Sequence, residues 1–242
     1  RINVDTGATI TDGAINLSES NPTIVAGAYT NAFAGTGSTK LYSIDQNSDR
    51  IYIQNANAGT LGVSAALGTD ININGGGGFD IDPVTNVGFA ALKLNTGAYK
   101  FFQLNLANVG TNNAAIFASG DLNSNFNSMG IRGIALKRAS DATAQAYGLT
   151  ANNKLLNFAL NNPNAVMEKT ITGLLVDEKF IGIDYRLRTT TTNSGKLYGL
   201  TNKANLYTIN TDTGMANLIT SLKPAMGSSF TTLDGTSFAV DF

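Results

Sequence analysis

Short runs in which apolar and polar residues alternate dominate the sequence. Examples are Lys40–Ile44, Arg50–Gln54 and Asn205–Ile209, each bounded by Asn, Asp or Gly. A period of two is typical of half-buried strands in antiparallel sheets, and no segment carries a sustained period of 3.6 residues. Strand-like runs recurring every ~8–12 residues predict an all-β fold of the sandwich, barrel or propeller type.

An internal repeat favours the propeller. The motif Tyr-Gly-Leu-Thr occurs at Tyr147–Thr150 and again at Tyr198–Thr201. An apolar segment opening on Gly-Ile precedes each copy, at Gly133–Leu136 and Gly182–Tyr185. Similar segments lie at Gly78–Ile81 and Phe238–Asp241. A unit of about 50 residues that carries four short strands has the size of a propeller blade.

The repeat predicts five blades of about four antiparallel strands each. Four blades are expected at Gly27–Ile73, Gly78–Leu122, Ile131–Val176 and Phe180–Met226. The remaining segments, Thr231–Phe242 and Arg1–Val25, are expected to form a fifth blade split between the two termini. Because an isolated blade cannot bury both faces of its sheet, residues 1–242 are predicted to form a single domain.

Several motifs, correctly spaced, resemble a bacterial family of domains of unknown function, family 4394. They include Val25–Gly35, Thr39–Asp45, Gly78–Ile81, Phe180–Arg186 and Leu206–Ile209. The resemblance implies an exported β-propeller-like repeat domain without assigned chemistry.

The order of the segments differs from that of the family. The segments here at 133–242 come first in the family and those at 1–125 come second, so this chain is circularly permuted relative to it. The family also has a strand and turn joining the equivalents of Phe242 and Ile2, which this sequence lacks. This indicates either a chain cut from a tandem array or repeating polymer, or a break within the split blade.

Composition narrows the classes of function. Sixteen Lys and Arg against 17 Asp and Glu give a net charge of −1, which argues against nucleic acid as a partner. The absence of His and Cys excludes nucleophiles and metal sites that depend on them. Only 14% of residues are charged, as is frequent in bacterial surface proteins, and no stretch is apolar enough for a transmembrane helix. We therefore expect an extracellular or cell-surface location.

Two Asp-Thr-Gly triplets, at Asp5–Gly7 and Asp212–Gly214, raise the hypothesis of an aspartic protease. That enzyme needs two such triplets so that their carboxylates share a proton. However, both triplets follow the pattern Ile-Asn-Xaa, which indicates a strand followed by an Asx-type turn with Gly at positive φ. The turn is the favoured interpretation.

Calcium is the one cofactor that the sequence suggests. Asp70, Asn72 and Asn74 place oxygen-bearing side chains at alternate positions before Gly75, as at the start of a calcium-binding loop. The distal bidentate Glu of such loops is missing, and the intervening Ile71 and Ile73 equally favour a plain strand.

Acidic residues also occupy equivalent positions in the repeat. Asp80, Asp184 and Asp241 are predicted to lie on the innermost strands, where they could form a carboxylate ring in the central channel that binds a cation or a sugar. The alternative is that each carboxylate caps backbone between blades. Acidic pairs such as Asp177 with Glu178 raise a further hypothesis, a secreted hydrolase.

The function predicted is that of a non-enzymatic, extracellular structural or adhesive module. Unpaired edges in a split blade are templates for strand pairing, so copies or tandem-repeat neighbours are expected to assemble through the terminal segments. A head-to-tail contact of this kind that does not close would produce a filament. The residues assigned to assembly are Arg1, Ile2, Val4, Phe238, Val240 and Phe242. The alternatives are a secreted propeller that binds a glycan or calcium, and a secreted hydrolase that uses acidic residues.

Overall fold

A computed structural model describes residues 1–18, 21–33, 36–122, 124–137, 144–186, 195–224, 232–233 and 238–241. These residues form four antiparallel sheets of four strands. Blade 1 contains β1 (Ile24–Tyr29), β2 (Leu41–Asp45), β3 (Arg50–Gln54) and β4 (Leu61–Ala66). Blade 2 contains β5 (Gly78–Ile81), β6 (Val87–Lys93), β7 (Tyr99–Asn105) and β8 (Ile116–Asp121).

Blades 3 and 4 repeat this plan. Blade 3 contains β9 (Ile131–Lys137), β10 (Gln145–Thr150), β11 (Lys154–Ala159) and β12 (Asn162–Thr170). Blade 4 contains β13 (Phe180–Arg186), β14 (Lys196–Thr201), β15 (Asn205–Ile209) and β16 (Ala216–Ser221). A short α-helix, α1 (Asn125–Met129), precedes blade 3, and a 3₁₀ helix at Leu106–Asn108 follows β7.

Strands pair in chain order within each sheet, so every blade is an antiparallel meander. Tight turns join the strands and demand positive φ at residues such as Asp49 (φ 53°) and Asn153 (φ 57°). Asp and Asn tolerate this conformation better than other non-glycine residues. Asp and Asn residues between the apolar runs therefore allow the tight turns at which the strands end.

The first strand of each blade is the innermost. Strands β1, β5, β9 and β13 approach one another in that order around the centre of the molecule. The approach is so close that a Cβ on Gly78 would lie 2.2 Å from the backbone nitrogen of Ile134 in the next blade. Only glycine fits at such a contact. The Gly that opens the repeated motif thus permits the inner strands to meet.

This arrangement is a β-propeller, as the sequence predicted, but the predicted count of five blades is wrong. The described residues contain four blades, close to the predicted segments. The terminal segments that were expected to make a fifth sheet form only isolated β-bridges among the described residues. Each of the four blades has a second strand that pairs with its inner strand, and no such strand occurs at this position among the described residues.

Apolar side chains fill the layers between successive blades. One cluster joins blades 1 and 2 around Ile44 and Leu92, another joins blades 2 and 3, and a third joins blades 3 and 4. A smaller cluster, centred on Ile181 and Leu200, receives its outer members from the terminal segments. These members are Ile2, Leu233, Phe238 and Val240.

Candidate functional site

The two terminal segments meet in the gap between blade 4 and blade 1, which we call the fifth position. The inner part of the gap is occupied by residues 238–241. A Cβ on Gly182 of β13 would lie 2.3 Å from Cγ2 of Val240, and a Cβ on Gly27 of β1 would lie 3.6 Å from Cβ of Ala239. Residues 238–241 therefore run between β13 and β1, where the innermost strand of another blade would lie.

Hydrogen bonding confirms that residues 238–241 are placed as an inner strand. The backbone N–H of Tyr29 in β1 donates to Oδ2 of Asp241 at 2.6 Å. In the same way, the backbone N–H of Leu136 in β9 donates to Oδ2 of Asp80 in β5 at 2.6 Å. Each carboxylate thus accepts from the next inner strand, so Asp241 is the structural counterpart of Asp80.

The outer part of the fifth position is a hairpin made by the N-terminal segment. Ile2 forms an antiparallel bridge with Thr9, and the turn between them is closed by the N–H of Gly7 donating to the carbonyl of Asn3 at 2.8 Å. Within the turn, Oδ1 of Asn3 accepts from the backbone N–H groups of Asp5 and Thr6, both at 3.0 Å. Gly7 has φ 70°.

The same turn joins the third and fourth strands of two blades. Oδ1 of Asn210 accepts from the N–H groups of Asp212 and Thr213, and Gly214 has φ 78°. Asn55 does the same before Gly59 in blade 1. Both Asp-Thr-Gly triplets therefore lie in the Asx-type turn that the sequence favoured, with Asp5 and Asp212 exposed.

Neighbouring blades hold this hairpin as they hold one another. A parallel bridge joins Thr172, after blade 3, to Met215 in blade 4. Corresponding parallel bridges join Lys223, after blade 4, to Ala8, and Asn16 to Thr60 in blade 1. The N-terminal hairpin is therefore docked as the outer strands of a further blade.

What the fifth position lacks among the described residues is a second strand. In its place lies a cavity of about 610 Å³, which we call the wedge groove. Its walls are Arg1–Asp5 on one side, Asp241 at the inner edge, and the ends of β1 and β13. Tyr29 and Arg186 come from these ends, Asn31, Ala32 and Phe33 follow β1, and Asn57 belongs to the turn between β3 and β4.

The backbone on both sides of the groove is unpaired within the described part of the chain. Arg1 accepts from the N–H of Ile10, and the N–H of Asn3 donates to the carbonyl of Ala8. Since successive residues of a strand direct their backbone groups to opposite sides, the N–H and C=O of Ile2 point towards the groove. Neither these groups nor the backbone groups of residues 238–241 have a hydrogen-bond partner among the described residues.

Of the predicted channel carboxylates, Asp80 and Asp184 are buried and Asp241 is partly buried. Asp80 and Asp184 also accept from the N–H of the residue that follows each, Ile81 and Tyr185, at 2.7 Å. The central cavity beside the inner strands measures only about 10 Å³, room for roughly one water molecule. The contacts of Asp80 and Asp241 are those of the capping alternative, in which a carboxylate ties one inner strand to the next.

Burial has the largest effect on the pKa values of Asp80 and Asp241. It raises the pKa of Asp80 to about 8, with the nearby charge of Asp241 contributing in the same direction and the two backbone N–H groups opposing it. Burial likewise raises the pKa of Asp241 to about 6, against the N–H of Tyr29. Two carboxyls that share a low-dielectric centre resist ionising together.

Glu178 is a buried acid that the sequence singled out for another reason. Its carboxylate accepts hydrogen bonds from Thr201, Asn205 and Tyr207 of blade 4 and from the backbone N–H of Leu175. Burial raises the pKa of Glu178, but these four donors outweigh it and leave the pKa below its usual range. Its sequence neighbour Asp177 is exposed with φ 62°, and Glu178 ties the connection from blade 3 onto blade 4.

The calcium candidates lie together on one exposed edge. Asp70, Asn72 and Asn74 are exposed, whereas Ile73 between them is buried. Asp70 lies in a turn with φ 61°, and Ile73 forms an antiparallel bridge with Leu94. No group of three or more Asp or Glu side chains suited to a metal ion occurs among the residues that the structure describes.

Of the residues assigned to assembly, Arg1, Ile2 and Val4 line the wedge groove, whereas Phe238 and Val240 pack in the apolar cluster beneath it. Phe242 lies outside the described residues. The sequence did not point to Arg186 or Asn31, which reach the groove from the ends of inner strands. The repeat could have indicated them, because Asn31 follows the inner strand that contains Gly27 and Arg186 ends the one that contains Gly182.

Comparisons with known proteins place the chain in a family. It belongs to the family described as "Domain of unknown function (DUF4394)", whose model matches residues 1–135 and 154–242. No curated protein matches the chain. No helix in the described part is both long and apolar enough to span a membrane.

Similar solved structures share little sequence with this chain. A protein of unknown function from Bacteroides caccae is 9% identical with a TM-score of 0.46, covering 82% of this chain and 60% of that one. The RRP9 WD40 repeats are 7% identical with a TM-score of 0.48, covering 82% and 51%. The β-propeller domain of Myceliophteria thermophila Cps50 (Swd1) is 11% identical with a TM-score of 0.42, covering 73% and 50%. This chain thus spans half to three fifths of the length of these structures.

Proposed function

We propose that this domain is an extracellular structural module that assembles with further copies of itself, or with tandem-repeat neighbours, by accepting a β-strand into the wedge groove. One observation carries the proposal. The backbone of Ile2 and of Asp241, which has no hydrogen-bond partner among the described residues, borders a groove at the place where each of the four blades has its second strand, and residues 238–240 continue the inner strand from Asp241.

The strand edges that border the groove are unprotected. Exposed backbone donors and acceptors in an extended conformation are templates for pairing with another chain. An incoming strand gains main-chain hydrogen bonds from Ile2 on one side and from the inner strand on the other, and it buries apolar side chains against Ile2 and Phe33. A head-to-tail contact of this kind that does not close into a ring produces a filament.

The extracellular setting is supported by composition. Only 14% of the residues are charged and no Cys is present. Fractionation of the native source, with surface-exposed protein digested by an added protease, tests this part of the proposal. Protection of the protein in intact cells would contradict it.

The assembly proposal is tested by blocking the groove. Deletion of Arg1–Thr11 removes the outer hairpin and is expected to abolish polymers in negative-stain images while a folded core remains. Because Val4 is buried, this deletion can also perturb folding, so a point variant is needed beside it.

Ile2→Pro is that point variant. Proline removes the N–H of Ile2, which serves no described hydrogen bond, and leaves the bonds of Arg1 and Asn3 to the hairpin. Ile15→Pro is the matched control, since Ile15 is exposed, lies outside the groove and donates no described backbone hydrogen bond. We expect Ile2→Pro alone to reduce polymer mass in sedimentation. Unchanged polymers in both Ile2→Pro and the deletion would overturn the proposal.

A second candidate function is glycan binding at the same groove. Tyr29 and Phe33 offer aromatic faces there, next to hydrogen-bonding side chains of Asn31, Asn57 and Arg186. Aromatic faces beside polar groups suit a sugar ring. A glycan array probed with the wild-type chain and with Tyr29→Ala tests this candidate, and binding that is unchanged in the variant would contradict it.

A further inference from the structure

The second strands of the four blades share a chemical pattern that strand register reveals. The residue opposite the inner-strand position of Asp80 and Asp184 is always aromatic, the next is small, and the next is aliphatic or Ala. The aromatic residues are Tyr42, Phe89, Tyr147 and Tyr198. The small residues are Ser43, Ala90, Gly148 and Gly199, and the last position holds Ile44, Ala91, Leu149 and Leu200.

Packing explains the order of these positions. A Cβ on Gly199 would lie 2.5 Å from Cε1 of Phe180, whose ring is fully buried, so the middle position has no room for a large side chain. The third position is buried in all four blades, with Ile44 and Leu149 wholly inaccessible. Exchanging an aromatic residue with the small residue beside it would therefore drive a ring into a filled space.

The fifth position can be aligned with this pattern from both sides. Asp241 corresponds to Asp80 because each accepts from the backbone N–H of the next inner strand. Asn3 corresponds to Asn210 because each caps the same turn, so Ile2 corresponds to Ile209, which pairs with Leu197. Leu197 comes directly before the aromatic Tyr198.

We infer that the wedge groove selects a strand that runs antiparallel to residues 238–241 and reads apolar, aromatic, small, aliphatic. The aromatic residue lies opposite Asp241, the small residue opposite Val240, the aliphatic residue opposite Ala239, and the leading apolar residue opposite Ile2. This inference rests on the proposed function and defines the chemistry of its partner, an extended segment of the domain's own second-strand type.

The test uses two synthetic peptides of identical composition. The first has the sequence of Lys196–Thr201, acetylated and amidated, and the second has the residues of Tyr198 and Gly199 exchanged. Each is labelled with a fluorophore at its first residue and titrated into the 242-residue chain at concentrations where light scattering detects no polymer, with binding followed by anisotropy. We expect the first peptide to bind at least tenfold more tightly than the second.

The Ile2→Pro and Ile15→Pro variants locate the binding. Ile2→Pro is expected to weaken the binding of the first peptide by at least tenfold, whereas Ile15→Pro is expected to leave its affinity unchanged. Equal affinity for the two peptides, no binding of either, or binding indifferent to Ile2→Pro would overturn the inference.

The experiments distinguish failure of the strand pattern from failure of self-assembly. Polymers that disappear in Ile2→Pro while the two peptides bind equally would uphold strand-mediated assembly and overturn the strand pattern. Selective peptide binding by a chain that never forms polymers would uphold the strand pattern and overturn self-assembly.

Discussion

At the scale of single residues, buried carboxyls decide how this molecule responds to pH. Asp80 and Asp241 each fix the backbone of the next inner strand, yet burial keeps their pKa values high, at about 8 and about 6. Glu178 has the opposite tendency, since four hydrogen-bond donors lower its pKa. The raised pKa values are therefore expected to lower stability as the pH rises, and the lowered pKa of Glu178 is expected to lower stability as the pH falls.

We expect the free energy of unfolding to fall as the pH rises above 4. The native state binds a proton at Asp80 more tightly than the unfolded chain does, so stability is lost from the unfolded pKa near 3.8 up to about 8. For Asp241 the loss occurs between 3.8 and about 6. Each group contributes at most ~1.4 kcal/mol per pH unit within its window.

Urea unfolding of the wild type and of Asp80→Asn, measured from pH 4.5 to 8.5, checks this dependence. The variant is expected to show a shallower decline between pH 6 and 8, an interval that lies above the pKa of Asp241 and below that of Asp80. A wild-type stability that is flat or rises across this interval would contradict the raised pKa of Asp80.

On the acid side, Glu178 is expected to limit stability. Its folded pKa is lowered, so the stability that it contributes is present above the ordinary pKa of 4.5 and is lost as the pH falls through the folded value. Glu178→Gln should therefore unfold at lower urea than wild type at pH 7 and differ less at pH 3. An equal difference at both pH values would argue against an ionised Glu178.

Glycine at the inner strands gives a steric prediction. A methyl group on Gly78 would collide with backbone of β9, at 2.2 Å from the nitrogen of Ile134. Gly78→Ala is expected to destabilise the fold by about 1–3 kcal/mol, the usual cost of overpacking. The control is Gly37→Ala, where nothing lies within 4 Å, and thermal unfolding of both variants provides the measurement. Equal melting temperatures would contradict the close approach of β5 and β9.

At the scale of elements, the five-residue turn that begins at Asn3, Asn55 and Asn210 is the recurring unit. In each, one side-chain oxygen accepts two backbone N–H groups and a glycine with positive φ closes the turn. The same unit therefore shapes two complete blades and the outer wall of the groove.

Asn210→Ala is expected to destabilise the domain by about 1–2 kcal/mol, because two backbone N–H groups lose their acceptor. Asp212→Ala, an exposed position in the same turn, serves as the control and should have little effect. Chemical denaturation compares the two. A loss for Asp212→Ala equal to that for Asn210→Ala would show that the Asx cap is not the stabilising feature.

Much of this element structure is predictable from the sequence because period-two alternation and Asn, Asp and Gly turns are local signals. Tyr42, Tyr147 and Tyr207 recur within strand patterns, and all three are buried in the propeller core. The triplets at Asp5 and Asp212 were also interpretable, since both follow Ile-Asn. The bonds that Asp80 and Asp241 make are not local, because each partner belongs to a different blade.

At the scale of the whole molecule, the repeat predicted the propeller but overcounted its blades. Phe238–Asp241 resembles an inner strand in sequence and lies as one, and Ile2–Thr9 resembles an outer hairpin and docks as one. A sheet requires backbone pairing between them, which a motif count does not measure. The wedge groove arises from that missing pairing, so it becomes visible only once the ring is assembled in three dimensions.

Amide hydrogen exchange reports directly whether the backbone of the wedge groove is free to accept a strand. The backbone N–H groups of Ile2 and of Ala239–Asp241 have no described partner and are expected to exchange quickly in dilute protein. When the groove receives a strand, in polymers or with the Lys196–Thr201 peptide, exchange at these residues should slow markedly while exposed Ile15 stays unchanged. Slow exchange before any strand is added, or exchange that is unaltered afterwards, would contradict a strand-accepting groove.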